Sequence, residues 1–213
     1  MITLKPHSAS TLRIQATPIV AHRLVAPALP RFLMQHPGIE VQLMVGEHTR
    51  EQSSATCDVA IFLEPAEKGF ESKARRLALV NEVLCASPEL VAVHGEPSSP
   101  PDLDPALCIG VFGEQSVASE WQFRKGGMET TVTPAARLVC SDVQTAAAAA
   151  VRSGGFVRLP ALAVESQIAA GLLISLLPDW SGSQHYVCVR YVSSMTRQLE
   201  AVGDFIVGLF PRR

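Results

Sequence analysis

No cluster of lysine and arginine occurs in this sequence, and 18 Lys+Arg against 20 Asp+Glu leave a formal net charge of -2. Affinity for nucleic acid comes largely from concentrated positive charge set against phosphates, so the chain is not expected to bind DNA by itself. Paired cysteine motifs are missing too. Cys57, Cys85, Cys108, Cys140 and Cys188 stand singly, four of them in apolar strand-like runs, where a free thiol behaves as a small buried hydrophobe. An odd, unpaired set argues against a disulfide scaffold and for a reducing compartment. Residues 1–10 hold no apolar run long enough for a signal peptide, and no later run would span a bilayer; a soluble, cytoplasmic protein with no membrane partner is expected. The six histidines are scattered, without the His-x-x-x-His or His/Cys spacing that holds a metal. No Gly-x-Ser-x-Gly elbow, P-loop or Gly-x-Gly-x-x-Gly follows a strand. No metal, no cofactor and no catalytic residue is therefore expected, and the protein is not read as an enzyme.

What is present is core material: 47% of 213 residues are hydrophobic and 18% charged. That length is large for one core but natural for two lobes. Leu79 to Pro88 reads as an apolar strand running into a Ser-Pro helix start, with a set of alternating strands and helices on either side. We read it as the first strand to cross between two lobes, with a ligand cleft at the crossing. Ahead of it, Thr11 to Ala16 alternates like a half-buried strand. Thr17-Pro18 then suits an N-cap followed by proline at the first helical position. The next helix carries Val25, Ala28, Leu29, Phe32 and Leu33 on one face and stops near His36-Pro37-Gly38. Ile39 to Val45 alternates again, Gly46 to Ser54 is polar and open to a helix, and Asp58 to Leu63 is a continuous apolar run suited to a central strand. Strand, helix, strand, helix, strand in that order predicts a parallel sheet.

Beyond the crossing, Pro88 to His94 reads as a short helix, Gly95 to Pro105 as a surface connection and Leu107 to Phe112 as a strand. Trp121-Gln122-Phe123 and Thr130 to Thr133 read as a hairpin about Lys125-Gly126-Gly127. Leu138 to Cys140 is a strand, and Asp142 caps an alanine-rich helix ending at Val151. Phe156 to Leu159 is a strand, Pro160 opens a helix ended by Gly171, and Leu172 to Leu177 is a further strand. Tyr186 to Val192 returns across, and the last helix, from about Thr196, aligns Leu199, Val202, Phe205, Ile206 and Leu209.

In this order and at these intervals the residues resemble the effector-binding domain of LysR-type transcriptional regulators, over about residues 12 to 210. The pieces are Leu12-Arg13-Ile14 into Ala16-Thr17-Pro18; Ala26-Pro27 with Leu29, Phe32 and His36-Pro37; Cys57-Asp58-Val59-Ala60-Ile61; and Ala86-Ser87-Pro88-Glu89-Leu90. Then follow Gly95-Glu96-Pro97, Trp121-Gln122-Phe123, Ser141-Asp142, Leu159-Pro160, Gly171-Leu172-Leu173 and Leu177-Pro178-Asp179-Trp180. The resemblance implies an α/β fold of two Rossmann-like lobes joined by two crossing strands, of the type II periplasmic-binding-protein kind. The expected division is a linker remnant over 1–11, one lobe over 12–86 plus 191–213, and a second over 87–190. It also implies a dimer or tetramer, and DNA binding only through an N-terminal winged helix-turn-helix that this sequence does not contain. Ser153 departs from the family pattern, which has glycine there. A free-standing solute-binding protein of a transport system is the alternative; it would need a secretory signal and would disfavour free thiols.

In open parallel sheets ligands sit outside the carboxyl ends of strands, near helix N-termini. Those termini offer unpaired N–H groups and partial positive charge, so a small anion such as a carboxylate is the expected effector. Thr17, Pro18 and Ile19 are the first expected contacts, with helix capping alone as the plain reading of Thr17. Asp142 begins the corresponding helix of the other lobe. Ser87 stands at the crossing, as cap or contact. The resemblance adds Gly46, Glu47 and His48, in a loop where relatives place effector contacts; His48 could equally be a plain surface residue. Phe62 walls the pocket or belongs to the core. Phe156, Val157 and Arg158 complete the set, Arg158 interrupting an apolar strand. A buried arginine needs an anionic partner, so it either faces the cleft and selects an acidic effector or snorkels to the surface.

Overall fold

A computed structural model of the chain describes residues 11–46, 57–66, 74–112 and 120–210. They form two compact units: the first takes residues 11–46, 57–64, 74–79 and 186–210, the second 65–66, 80–112 and 120–185. The first unit is built on β1 (Thr11–Ala16), whose alternation buries Leu12, Ile14 and Ala16. β2 (Glu40–Val45) and β3 (Val59–Pro65) flank it, both parallel to it, as the strand–helix order predicts. Val59 to Phe62 is buried throughout, as a strand covered on both faces should be.

The helix after β1 is continuous over 18–35 but not uniform: α1 (Pro18–Val20) passes through a π turn (Ala21–Val25) into α2 (Ala26–Gln35). Proline explains the wide turn. Pro27 has no N–H to give, and its ring would collide with the carbonyl four residues earlier. One extra residue in the preceding turn, with the Ala26 N–H donating to the Ala21 carbonyl, makes the room. Val25 and Phe32 are buried. The Phe32 ring lies 4.7 Å from Phe205 of α6 (Arg197–Gly208). That last helix is capped by Thr196, whose Oγ1 accepts from the Leu199 N–H, and it buries Leu199, Val202 and Ile206.

The chain leaves the first unit between Leu79 and Val80, inside β4 (Arg75–Ala86), and returns between His185 and Tyr186, inside β11 (Gln184–Tyr191). In the second unit β4 pairs antiparallel with β9 (Val157–Pro160) and β10 (Ile174–Leu176). A separate parallel pair joins β5 (Ile109–Val111) to β8 (Leu138–Cys140). β6 (Trp121–Lys125) and β7 (Met128–Val132) make the expected hairpin. Its two central residues, Gly126 and Gly127, both have positive φ, as the tight turn that matches strand twist requires. The helices are α3 (Pro88–His94), α4 (Val143–Val151) and α5 (Ala161–Ala169). The proline-rich connection holds two 3-10 turns, Pro100–Asp102 and Pro105–Leu107. Trp121, Phe123, Phe156, Leu84 and Leu176 form the heart of this unit's core.

Candidate functional site

Three strand ends meet in the first unit. Ala16 stands opposite Val45 of β2 on one side and Ile61 of β3 on the other. The next residues continue that row: the Gly46 N–H donates to the Ala16 carbonyl and the Thr17 N–H to the Ile61 carbonyl, each at 3.1 Å. Thr17, Pro18, Ile19, Gly46 and Phe62 therefore belong to one carboxyl edge. Glu47 and His48 lie outside the described residues.

Thr17 occupies the N-cap position, yet its side chain caps nothing. It is only 6% exposed, and its Oγ1 has no hydrogen-bond partner among the described residues. A buried hydroxyl left unpaired costs about 1–3 kcal/mol. The first N–H groups of a helix have no acceptor within it; Pro18 has none to give, so Ile19 and Val20 carry them here. A hydroxyl that can donate thus stands beside a helix beginning with partial positive charge. Phe62 belongs to the core, packed with Cys57, Ala60, Ala74 and Cys188.

At the opposite end of β1, a depression of about 190 Å³ is lined by Thr11, Asp58, Ser193, Thr196 and Gln198. Asp58 is occupied there. It accepts from the Arg13 backbone N–H at 2.8 Å, from the Arg13 guanidinium and from the Ser193 hydroxyl at 2.6 Å. Burial alone would raise its carboxyl, but those hydrogen bonds outweigh it and hold Asp58 below its ordinary range.

In the second unit the expected contacts turn out to be spread. Ser87 is not where the chain crosses: Val80 is seven residues earlier in an extended strand, roughly 23 Å away at 3.3 Å per residue. Its Oγ accepts from the Leu90 N–H, capping α3, and lies 3.0 Å from the Ser153 hydroxyl, which donates to Glu89 at 2.9 Å. Ser153 follows the C-terminal end of α4, whereas Asp142 caps its N-terminal end. Nine residues of helix separate those ends, about 13 Å, so one small molecule does not touch both Ser87 and Asp142. The Asp142 carboxylate already accepts from the Gln144 and Thr145 N–H groups, both at 2.9 Å. That helix beginning therefore carries its own anion.

An anion for Arg158 comes from the chain itself. The arginine is 5% exposed, so it does not reach the surface. Its Nε lies 3.0 Å from Glu82 of β4, its Nη1 donates to the Gln122 carbonyl, and its guanidinium sits 4.6 Å over the Phe123 ring. The other oxygen of Glu82 is 2.9 Å from His185 Nε2. Gly182 passes so close that a side chain there would strike the guanidinium. Phe156 and Val157 are buried beside it, Phe156 in the core and Val157 opposite Cys85. The sequence announced the need for an anion near Arg158 but not which residue supplies it. Among the described residues no group of three His, Cys, Asp or Glu side chains could hold a metal.

Comparison with known families decides what this arrangement belongs to. Residues 6–210 match the family model described as the LysR substrate binding domain. The chain belongs to that family. It is 30% identical over 183 residues to the HTH-type transcriptional regulator YhjC of Escherichia coli, covering 79% of this chain and 56% of that protein. It is 27% identical over 184 residues to the E. coli transcriptional activator AaeR, covering 85% and 58%. The chain thus spans somewhat over half the length of these relatives. The CrgA regulatory domain of Neisseria meningitidis superposes with a TM-score of 0.80 at 25% identity, covering 94% of this chain and 98% of that one. Full-length AphB of Vibrio cholerae superposes with a TM-score of 0.81 at 20% identity, covering 96% and 69%. The fold is accordingly the two-lobed, type II periplasmic-binding-protein-like α/β fold of LysR-type regulatory domains, and the chain is an effector-binding domain of that family. The relatives are transcriptional regulators, not enzymes. Among the described residues no helix is long and apolar enough to cross a membrane.

Proposed function

We propose that this LysR-type effector domain senses a small anionic metabolite, held at the carboxyl edge of β1, β2 and β3 in front of the helix that starts at Pro18. The observation that carries this reading is the Thr17 hydroxyl, buried without a hydrogen-bond partner among the described residues at the head of that helix. A carboxylate there would accept from Thr17 Oγ1 and from the first helical N–H groups, in the field of the helix dipole. The corresponding position at α4 is filled by Asp142, which favours the Thr17 edge as the charged end of the site. Arg158, committed to Glu82, is then a structural cation and not the selector of an acidic effector.

The wider reading is a cytoplasmic regulator in which the metabolite lies between the lobes. It binds one lobe arrangement more tightly than another, since a ligand shifts an equilibrium only by its differential affinity. The lobe motion is relayed through a homodimer to a DNA-binding domain outside this sequence. A thermal-shift screen of small carboxylates against their neutral amides tests the charge of the effector. Acids should raise the melting temperature in a concentration-dependent way; stabilisation by neutral compounds and by no acid would overturn the anion assignment.

A further inference from the structure

At the carboxyl edge of the first unit's sheet, Thr17 shares its face with a second polar side chain, in apolar surroundings. Gln15 lies between Met44 and Ala60 in the strand register, and Met44, Ala60 and Phe62 pack in one apolar cluster. Side chains of a strand alternate, and Thr17 keeps extended backbone at φ -60° and ψ 149°, so Gln15 and Thr17 point to the same face. Gln15 is half-buried, and its amide leans forward along the strand to Gly46. A methyl group on Gly46 would lie 3.8 Å from Gln15 Nε2 and meet no other atom of the described residues within 4 Å. Gly46 is not among the glycines with positive φ, so its backbone is one that other residues adopt. What the glycine supplies is room beside the amide.

We propose that Gln15 reads the neutral end of the effector, selecting an acid that carries a hydroxyl over Gly46 while Thr17 and the helix head hold its carboxylate. This rests on the anion reading above and adds the second group of the same ligand. Ala16 stands opposite Val45, and the Gly46 N–H donates to the Ala16 carbonyl, so Thr17 and Gly46 are neighbours on adjacent strands, about 4.8 Å apart. A short hydroxy acid spans that distance. The Gln15 amide both donates and accepts, as a hydroxyl does, so the two match whichever way the amide is turned. Gly46, Thr17 and Phe62 form a row without a cation, which suits one negative charge and not two.

The test is titration calorimetry with short acids, each paired with its hydroxy form, from acetate with glycolate to pentanoate with 4-hydroxypentanoate. The proteins are the parent chain, Gln15→Met, Gly46→Ala and Thr17→Val, each checked for folding by its melting curve without ligand. Gln15→Met keeps the length of the side chain and loses the amide; Gly46→Ala leaves the amide and fills the space beside it. The parent should bind the hydroxy member of a pair about fivefold more tightly, the order of one net hydrogen bond. Gln15→Met should bind both members equally, Gly46→Ala should weaken the hydroxy acid, and Thr17→Val should weaken both. Acids that bind the parent with no preference for the hydroxyl, or a preference that survives in Gln15→Met, would overturn the Gln15 assignment and leave the anion reading standing. Equal weakening of both members in Gln15→Met would also overturn it, since that marks a side chain serving the fold. If no acid of the set binds, the anion reading falls and the Gln15 assignment with it.

Discussion

Ser153 shows how one side chain can hold a backbone conformation that does not suit it. Its φ is +60°, a left-handed value that costs a residue with a Cβ about 1–2 kcal/mol, which is the reason a glycine suits this turn. The Ser87 and Glu89 hydrogen bonds offset that cost, each by about 0.5–1.5 kcal/mol. Ser153→Gly should therefore be close to neutral in urea denaturation. Ser153→Ala, which keeps the strain and loses both bonds, should be less stable by about 1–2 kcal/mol; equal stability of the two variants would contradict this. Asp58 makes a prediction in pH. Its carboxyl is held below the ordinary range by Arg13 and Ser193, so its contribution is present above the unfolded carboxylate value of about 3.9. That contribution is lost as pH falls through the lowered native value. Urea midpoints between pH 5 and pH 2 should fall more steeply for the parent chain than for Asp58→Asn. The five buried thiols should not react with a disulfide reagent at neutral pH until the chain unfolds; burial pushes Cys85 and Cys108 up to about 12.

At the scale of elements, most of the fold was legible because its signals are local. Alternation marked β1 and β2, proline and threonine marked the start of the first helix, and Asp142 marked α4. The strand order predicted parallel pairing, which β1, β2 and β3 show. Partners far apart in sequence were not legible. Nothing near Arg158 names Glu82 as its counter-ion, and nothing near Ser87 shows that β4 continues long enough to carry it away from the crossing. The buried pair gives its own prediction. Glu82→Gln should cost about 3–5 kcal/mol by stranding a buried cation, whereas Glu82→Gln combined with Arg158→Met should cost less than Glu82→Gln alone. A double variant that is the least stable of the set in urea denaturation would show that Arg158 is held chiefly by Gln122 and Phe123. The π turn was not foreseen either. Pro27 and Pro30 are plain in the sequence, but whether a helix answers proline by kinking, ending or widening depends on how its two ends are already packed.

In the whole molecule, the family fold carries at one strand edge the Thr17 hydroxyl, buried without a hydrogen-bond partner among the described residues. The candidate site was legible in part: Thr17, Gly46 and Phe62 do fall on one edge, while Ser87 and Asp142 fall at the two ends of α4. Val25 and Phe32 are taken up by the core; Met34, a large apolar side chain 84% exposed on the same helical run, is the residue to test for the proposed dimer. Sedimentation at micromolar concentration should show a dimer, and Met34→Glu should weaken it at least tenfold. The most direct measurement of the central claim is the Thr17→Val variant, which keeps the shape and removes only the hydroxyl. Without ligand it should be as stable as the parent or about 1 kcal/mol more so, because an unpaired buried group is gone. For a carboxylate that stabilises the parent chain, titration calorimetry should show at least a tenfold loss of affinity, about 1.4 kcal/mol. Unchanged affinity, or a variant destabilised before any ligand is added, would mean that the Thr17 hydroxyl serves the fold and not the effector.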